Sequence, residues 1–292
     1  MVSELSESGK AVLFMILASL SFTFLNIMLK SVDHLPAMEL VFFRSFGALI
    51  FGIIYVKSKR GRFAGNNHLM LIFRGVIGVT SMALYFRALQ LMPVGSAISL
   101  RYLSPFFAGA LAIWMLHEKM KNIQWLYYTM AFVGIILLKG FDPRISFDGL
   151  LIILASAFFS GAVYVIIRKI GKSEHPATVV NYFMMVASIV GGIGCLISWV
   201  SPVGIEWLIV GGMGVFGFVA QFFMTKALQL AETSLIVPFK YTEVIFTVIA
   251  GWLILSEYQT WQALIGICII IAALVGNFLS RNESLRRKAV SK

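Results

Sequence analysis

Arg44, Arg74, Arg87, Arg101, Lys226 and Lys240 each stand inside a stretch of otherwise apolar sequence, and Glu243 follows Lys240 at a spacing of three. A cation in hydrocarbon costs roughly 2.5–3.5 kcal/mol on insertion scales unless it is paired or hydrated, so each of these residues asks for a reason. Residues three apart share a helix face, which makes Lys240 and Glu243 an internal ion pair. Arg101 and Lys240 each precede a tyrosine, Tyr102 and Tyr241. Both lie about seven residues into their apolar runs, roughly 10 Å deep at 1.5 Å per residue. Two readings stand for this pair: a substrate role, or structural pairing and snorkelling. Even with Lys240 paired, Arg44, Arg74 and Arg101 leave a surplus of buried positive charge, because Glu39 falls nearer a helix end. A solute carrying carboxylate or phosphate would neutralise that surplus, and arginine offers such a group two parallel N–H donors. The competing reading has Arg44 and Arg74 bonded to helix-end carbonyls. Arg87 and Lys226 sit near helix ends, where a long side chain snorkels to the interface. Asn26, Tyr85, Tyr164 and Gln221 are further polar groups in apolar runs, able either to orient a substrate or to bond between helices.

Several chemistries find no support. A buried enzyme needs a nucleophile with its base, a metal cluster or paired carboxylates, yet His34, His68, His117 and His175 fall at helix ends or in loops. Cys195 and Cys268 lie within apolar runs and read as packing residues, with neither a disulfide framework nor a metal knuckle. Gly191, Gly192, Gly194, Gly211, Gly212, Gly214 and Gly217 suit close helix contacts; no Lys-Ser/Thr follows to complete a phosphate loop. No cofactor and no metal is expected.

The elements that must position these residues follow from composition. With 59% hydrophobic and only 13% charged residues among 292, the chain has more apolar surface than a soluble fold can hide. The net charge of +11 resides in short loops between apolar runs, without the basic, aromatic-interleaved helix of a nucleic-acid reader. Apolar runs near the length needed to cross roughly 30 Å of hydrocarbon predict ten transmembrane helices, at 10–29, 36–56, 68–90, 94–116, 122–138, 147–167, 177–199, 205–229, 233–255 and 259–279. Pro36, Pro93, Pro143, Pro176 and Pro202 sit in or beside the breaks. Lys10, Lys57, Lys59, Arg60, Arg62, Lys119, Lys121, Arg168, Lys169, Lys172, Arg281, Arg286, Arg287, Lys288 and Lys292 cluster on one side, against Lys30, Lys139 and Arg144 on the other. The positive-inside rule then puts both termini in the cytoplasm. The polar N-terminus lacks a cleavage pattern, so the first helix is expected to be retained.

The two halves match at one fixed offset. Ala88-Leu89-Gln90-Leu91 corresponds to Ala227-Leu228-Gln229-Leu230, Tyr102 to Tyr241, Phe107 to Phe246, Leu116 to Leu255 and Glu118 to Glu257, while Arg87/Lys226 and Arg101/Lys240 keep their charge. Five spans per half leave the chain on the opposite side, so the repeat is expected to be inverted, with a site near the midplane and two nearly equivalent open states. Residues 1–139 form the first repeat, 140–280 the second and 281–292 a basic cytoplasmic tail.

Tyr85-Phe86-Arg87-Ala88-Leu89-Gln90-Leu91-Met92-Pro93-Val94-Gly95-Ser96-Ala97, continuing through Ser104-Pro105 to Glu118, resembles the EamA-type families of the drug/metabolite transporter superfamily. Ala227 to Leu230, then Pro238-Phe239 to Glu257, does so again. The resemblance implies a multi-pass carrier of the cytoplasmic (inner) membrane, and ten helices suffice for it to act as a monomer. It implies that helices three, four, eight and nine are among those lining a central cavity, with the fifth and tenth as supports, and that the cargo is a small metabolite, often moved outward. Small multidrug relatives couple to protons through a glutamate in the first helix; here that helix offers Asn26 and the end-placed Lys30. A proton or a counter-substrate remains as the coupling partner. The rival functions are a lipid or lipid-precursor flippase and, last, an intramembrane enzyme. Glu118 and Glu257 are expected to bond to neighbouring helix ends.

Overall fold

The computed structural model describes residues 6–32, 34–59, 63–91, 97, 100–118, 120–139, 146–255 and 261–290. Pro93, Pro143, residues 92–96, the loop cations Arg60, Arg62, Lys119, Arg144 and Lys292, and Glu257 fall outside these. Every regular element among the described residues is helical. In chain order they are α1 (Glu7–Ser31), α2 (Ala37–Ser58), α3 (His68–Leu91), α4 (Ser104–Leu116), α5 (Asn122–Lys139), α6 (Phe147–Ile170), α7 (Pro176–Cys195), α8 (Glu206–Leu230), the short α9 (Thr233–Ile236), α10 (Thr242–Leu255) and α11 (Trp261–Val290). Six of them, α1, α2, α3, α6, α7 and α8, are long and apolar enough to cross a bilayer. Shorter apolar stretches run through α4, α5 and α11, so the ten predicted spans fit.

Local signals explain the ends. Ser6 accepts a hydrogen bond from the Gly9 amide at 3.1 Å and Ser146 one from Gly149 at 3.1 Å, capping α1 and α6. Arg168 and Lys169 occupy the last turn of α6, where they complement the carbonyl end of the helix dipole. Gly171 then stops the helix at φ +57, a left-handed value only glycine adopts without strain. Pro176 opens α7, where its missing N–H costs nothing.

Four predicted helices differ in extent. The span at 177–199 ends at Cys195, because the Leu196, Ile197 and Ser198 amides turn back onto the Ile193 and Gly194 carbonyls. The last helix continues through the segment read as a basic tail, to Val290. The fourth and ninth spans are interrupted. Leu100 and Arg101 are helical, Tyr102 and Leu103 form a turn, and α4 starts at Ser104 with Pro105 in its first turn. In the ninth, a 3-10 segment at Val237–Tyr241 separates α9 from α10. Pro238 can donate no hydrogen bond there, which favours the tighter 3-10 path over a continuous α-helix.

The bundle is built by pairs: α1 on α8, α3 on α6, α2 on both α7 and α8, α3 on α7, α4 on α6, α1 on α10, and α5 on α11. Outward faces carry exposed Ile54, Leu69, Trp114, Leu151, Leu208 and Leu253, as a lipid-facing shell requires. Two glycine contacts set the approach of the inner helices. A Cβ on Gly47 of α2 would lie 2.9 Å from the Gly214 Cα of α8, and one on Gly191 of α7 would lie 2.7 Å from the Phe42 backbone nitrogen of α2. Small residues thus let backbones meet, as expected from the glycine clusters. Gly211 departs from that expectation: nothing lies within 4 Å of its Cβ direction.

Polar ties hold the bundle at its ends. At the end bearing the α1 N-terminus, Glu174 accepts from the Asn66 and Asn67 amides at 2.6 and 2.8 Å, and Lys172 reaches Glu7 at 2.6 Å. Glu118 accepts from the Thr233 and Ser234 amides at 3.0 and 3.1 Å, capping α9, so it makes the helix-end bond expected of it. At the other end the Val200 amide donates to the buried Glu39 at 2.9 Å, and His34 approaches Glu206 at 3.3 Å.

Gly47→Ala must push α2 from α8 and lowers stability by about 1–3 kcal/mol, whereas Gly211→Ala gains about 0.5–1 kcal/mol from helix propensity alone. Thermal unfolding in detergent, followed by tryptophan fluorescence, should rank the variants in that order. Equal melting temperatures would contradict the close α2–α8 contact.

Candidate functional site

The six cations that the sequence places in apolar runs do not all meet. Arg44, Arg74, Arg101 and Lys240 line one cavity of about 80 Å³ at the centre of the bundle, together with Asn26, Tyr85, Tyr102, Tyr164, Gln221 and Glu243. At roughly 10–15 Å³ per water, that is room for a handful of water molecules. Arg87 and Lys226 lie outside its lining; the Lys226 ammonium rests 4.3 Å from the Phe14 ring centroid. The walls come from α1, α2, α3, α6, α7, α8 and the interrupted fourth and ninth spans, a wider set than helices three, four, eight and nine. α5 and α11 pack on each other and contribute no described lining residue.

The interruptions matter for placement. Lys240 lies in the 3-10 segment and Glu243 in the first turn of α10, so the break delivers a paired cation and acid to the cavity wall. Their ion pair is extended by Asn26 of α1, whose amide donates to the second Glu243 oxygen at 2.7 Å. The Lys240 ammonium also lies 3.6 Å from the Phe22 ring centroid, a cation–π contact. Thr247 donates to the Glu243 carbonyl at 2.7 Å and holds the start of α10 in place.

Arg101 precedes the matching break. Its guanidinium stacks over the Tyr85 ring, 3.9 Å from the centroid. The tyrosines that follow the two cations touch each other: the Tyr241 hydroxyl donates to the Tyr102 carbonyl at 3.1 Å, with ring centroids 6.1 Å apart. Tyr241 is wholly buried and stands behind the wall, so, like Arg87 and Lys226, it does not line the cavity.

Arg44 and Arg74 sit opposite chemistry of another kind. The Arg74 Nη2 donates to the Gln221 Oε1 at 2.9 Å, and its guanidinium lies 4.1 Å from the Phe183 ring centroid. Arg44 reaches the Met82 sulfur at 3.3 Å. Neither donates to a helix-end carbonyl among the described residues, which removes that reading. Ser81 and Ser160 complete a polar wall: their hydroxyls are 2.8 Å apart, and Ser81 and Ser156 exchange hydroxyl-to-carbonyl bonds at 2.9 and 2.8 Å. These serines, with Phe22, Met82, Ser104 and Phe183, were not singled out from sequence. A serine or phenylalanine in an apolar helix carries no mark of which way it faces. Arg74 carried one, its charge, but was not selected above the others.

Comparison with known proteins agrees with this architecture. Residues 9–139 and 148–279 each match the model of the EamA-like transporter family. The chain is 30% identical to the pseudopaline exporter CntI of Pseudomonas aeruginosa over 97% of its own length and 99% of the relative's. It is 25% identical to the S-adenosylmethionine uptake transporter of Rickettsia felis over 87% of each. A solved crystal structure superposes with a TM-score of 0.84 at 19% identity, covering 94% of this chain and 98% of the other, a likeness of fold.

Removing one member of a buried ion pair strands the other, so Lys240→Met and Glu243→Ala should each cost about 3–5 kcal/mol. The double variant should cost much less than their sum, a coupling that a double-mutant cycle on melting temperatures reads directly. Strict additivity would mean the pair contributes nothing as a pair.

Proposed function

The chain belongs to the EamA-like transporter family, and from that premise we propose that it moves a small, carboxylate- or phosphate-bearing, amino-acid-like metabolite outward across the cytoplasmic membrane by alternating access. The observation that carries this reading is the charge balance of the cavity: Arg44, Arg74, Arg101 and Lys240 against Glu243 as the one acid among the described residues of its lining. An uncompensated cation in a low-dielectric site is expensive, and an anionic cargo is the compensation that can come and go.

The mechanism rests on two inverted five-helix repeats. Exchanging the halves turns the α1–α8 pair into the α6–α3 pair, α2–α8 into α7–α3 and α1–α10 into α6–α4, while α2–α7 and α5–α11 map onto themselves. The contact of Tyr102 with Tyr241, equivalent residues at equivalent breaks, fits a two-fold axis passing beside the cavity. Such symmetry supplies two nearly equal packings, one open to each side. The end ties at Glu118 and Glu174 would then be broken in one state and those at Glu39 and Glu206 in the other.

Export is proposed because a relative 30% identical over nearly the full length is an exporter, although an uptake transporter is also among the relatives. Both termini are assigned to the cytoplasm from the loop cations, and the working unit is taken as a monomer, since ten helices suffice for a carrier. Coupling to a proton or a counter-substrate would pass through Glu243 rather than a first-helix glutamate. No covalent chemistry on the cargo is proposed. A lipid-headgroup cargo is the rival that the same cations would suit.

A thermal-stability screen of the purified protein against anionic, cationic and neutral metabolites tests the reading, because a ligand at a hundredfold excess over Kd stabilises by about 2.7 kcal/mol. Anionic solutes should dominate the hits, and a hit should exchange across proteoliposome membranes. Hits confined to cationic or neutral solutes would remove the anion reading and leave only the carrier architecture. Stabilisation only by intact lipids would favour the flippase.

A further inference from the structure

The cations around the cavity are not equivalent. Lys240 already has its counter-charge in Glu243, and that carboxylate is in turn held by Asn26. Arg101 has the face of Tyr85. Arg44 and Arg74 have no acid within pairing distance among the described residues. Arg74 is 1% exposed and Arg44 7%. Two of the Arg74 nitrogens, Nε and Nη1, and the Nε of Arg44 meet no acceptor among the described residues. A buried donor without a partner costs about 1–3 kcal/mol, and more when charged. The contacts these side chains do make hold them still without neutralising them: Gln221 and Phe183 on Arg74, the Met82 sulfur on Arg44. Two fixed guanidiniums in the lining of one cavity, each with N–H groups unpaired among the described residues, make a cradle for an oxoanion.

We infer that the oxoanion of the cargo, a carboxylate or phosphate, is bound between Arg44 and Arg74, with Gln221 as the residue that positions the Arg74 fork, and not between Arg101 and Lys240. This rests on the reading of the protein as a carrier of anionic solutes. It assigns the cargo's charge to α2 and α3, steadied by α7 and α8. The Lys240–Glu243–Asn26 cluster then faces the rest of the solute. Gln221 occupies a telling position: its neutral oxygen orients Arg74 while leaving the positive charge available. A carboxylate at the same position would supply an internal anion and close the subsite.

The test uses the purified full-length protein in a neutral detergent, titrated calorimetrically with succinate and with inorganic phosphate. Arg74→Gln, Arg44→Gln and Gln221→Glu should each weaken binding by about tenfold or more, whereas Arg101→Gln should weaken it less than about threefold and Lys226→Gln, outside the cavity, should leave it unchanged. Gln221→Glu guards against misfolding, because pairing Arg74 should raise the melting temperature of the unliganded protein while abolishing anion binding. Binding that survives both Arg74→Gln and Gln221→Glu, or that is lost chiefly in Arg101→Gln, overturns the assignment and leaves the anion-carrier reading intact. A wild-type protein that binds neither probe sinks both together. Competition of phosphatidylglycerol with succinate in the wild type, with phosphatidylglycerol binding itself lost in Gln221→Glu, would support the same subsite and name a lipid headgroup as its source.

Discussion

Hydrocarbon offers no hydrogen-bonding partner, so a cation carried into a membrane-spanning bundle must find its compensation within the protein or in what the protein binds. The centre of this molecule is organised around that constraint. Lys240 is met by a carboxylate three residues away, and by an asparagine from a helix more than two hundred residues earlier that fixes the carboxylate. Arg101 and Arg74 lie against aromatic faces, where the ring quadrupole returns part of the lost hydration. Gln221 supplies Arg74 with an acceptor but no charge. Each arrangement reduces the cost of burial without cancelling the positive charge of the cavity as a whole.

The backbone geometry serves the same end. A continuous helix would leave no polar backbone free near the cavity, whereas the interruptions at Tyr102–Leu103 and Val237–Tyr241 bring the chain through a turn and a 3-10 segment beside it. Irregular backbone at this depth is tolerated where protein surrounds it. The buried Tyr102–Tyr241 contact and the Glu118 cap on α9 provide that surrounding structure. Close glycine contacts of α2 with α7 and α8 draw the inner helices together, so that side chains from so many elements reach one small space. Polar ties join loops and helix starts at the two ends, and a second set, Asn26 with Glu243, Arg74 with Gln221 and Ser81 with Ser156, joins helices at the centre.

The sequence by itself determined that this chain is a bundle of membrane-spanning helices, and it predicted ten spans that the helices found fit, because apolar run length is a local property set by the thickness of hydrocarbon. It also determined that a handful of cations would be costly, that Lys240 and Glu243 would pair through local helical spacing, and that the two halves share a motif. Tertiary structure alone decided which cations share a cavity. The helices are apolar nearly all round, so their periodicity does not say which face turns inward; Arg74 and Lys226 look alike as isolated charges, yet one lines the cavity and the other lies on Phe14. Asn26 with Glu243, Arg74 with Gln221 and Tyr102 with Tyr241 are contacts between distant segments, set by how helices rotate and cross. Propensity read as continuous helix across Arg101 and Lys240 yielded to breaks next to proline, and those breaks, not the spacing of charges, place the paired lysine and glutamate on the cavity wall.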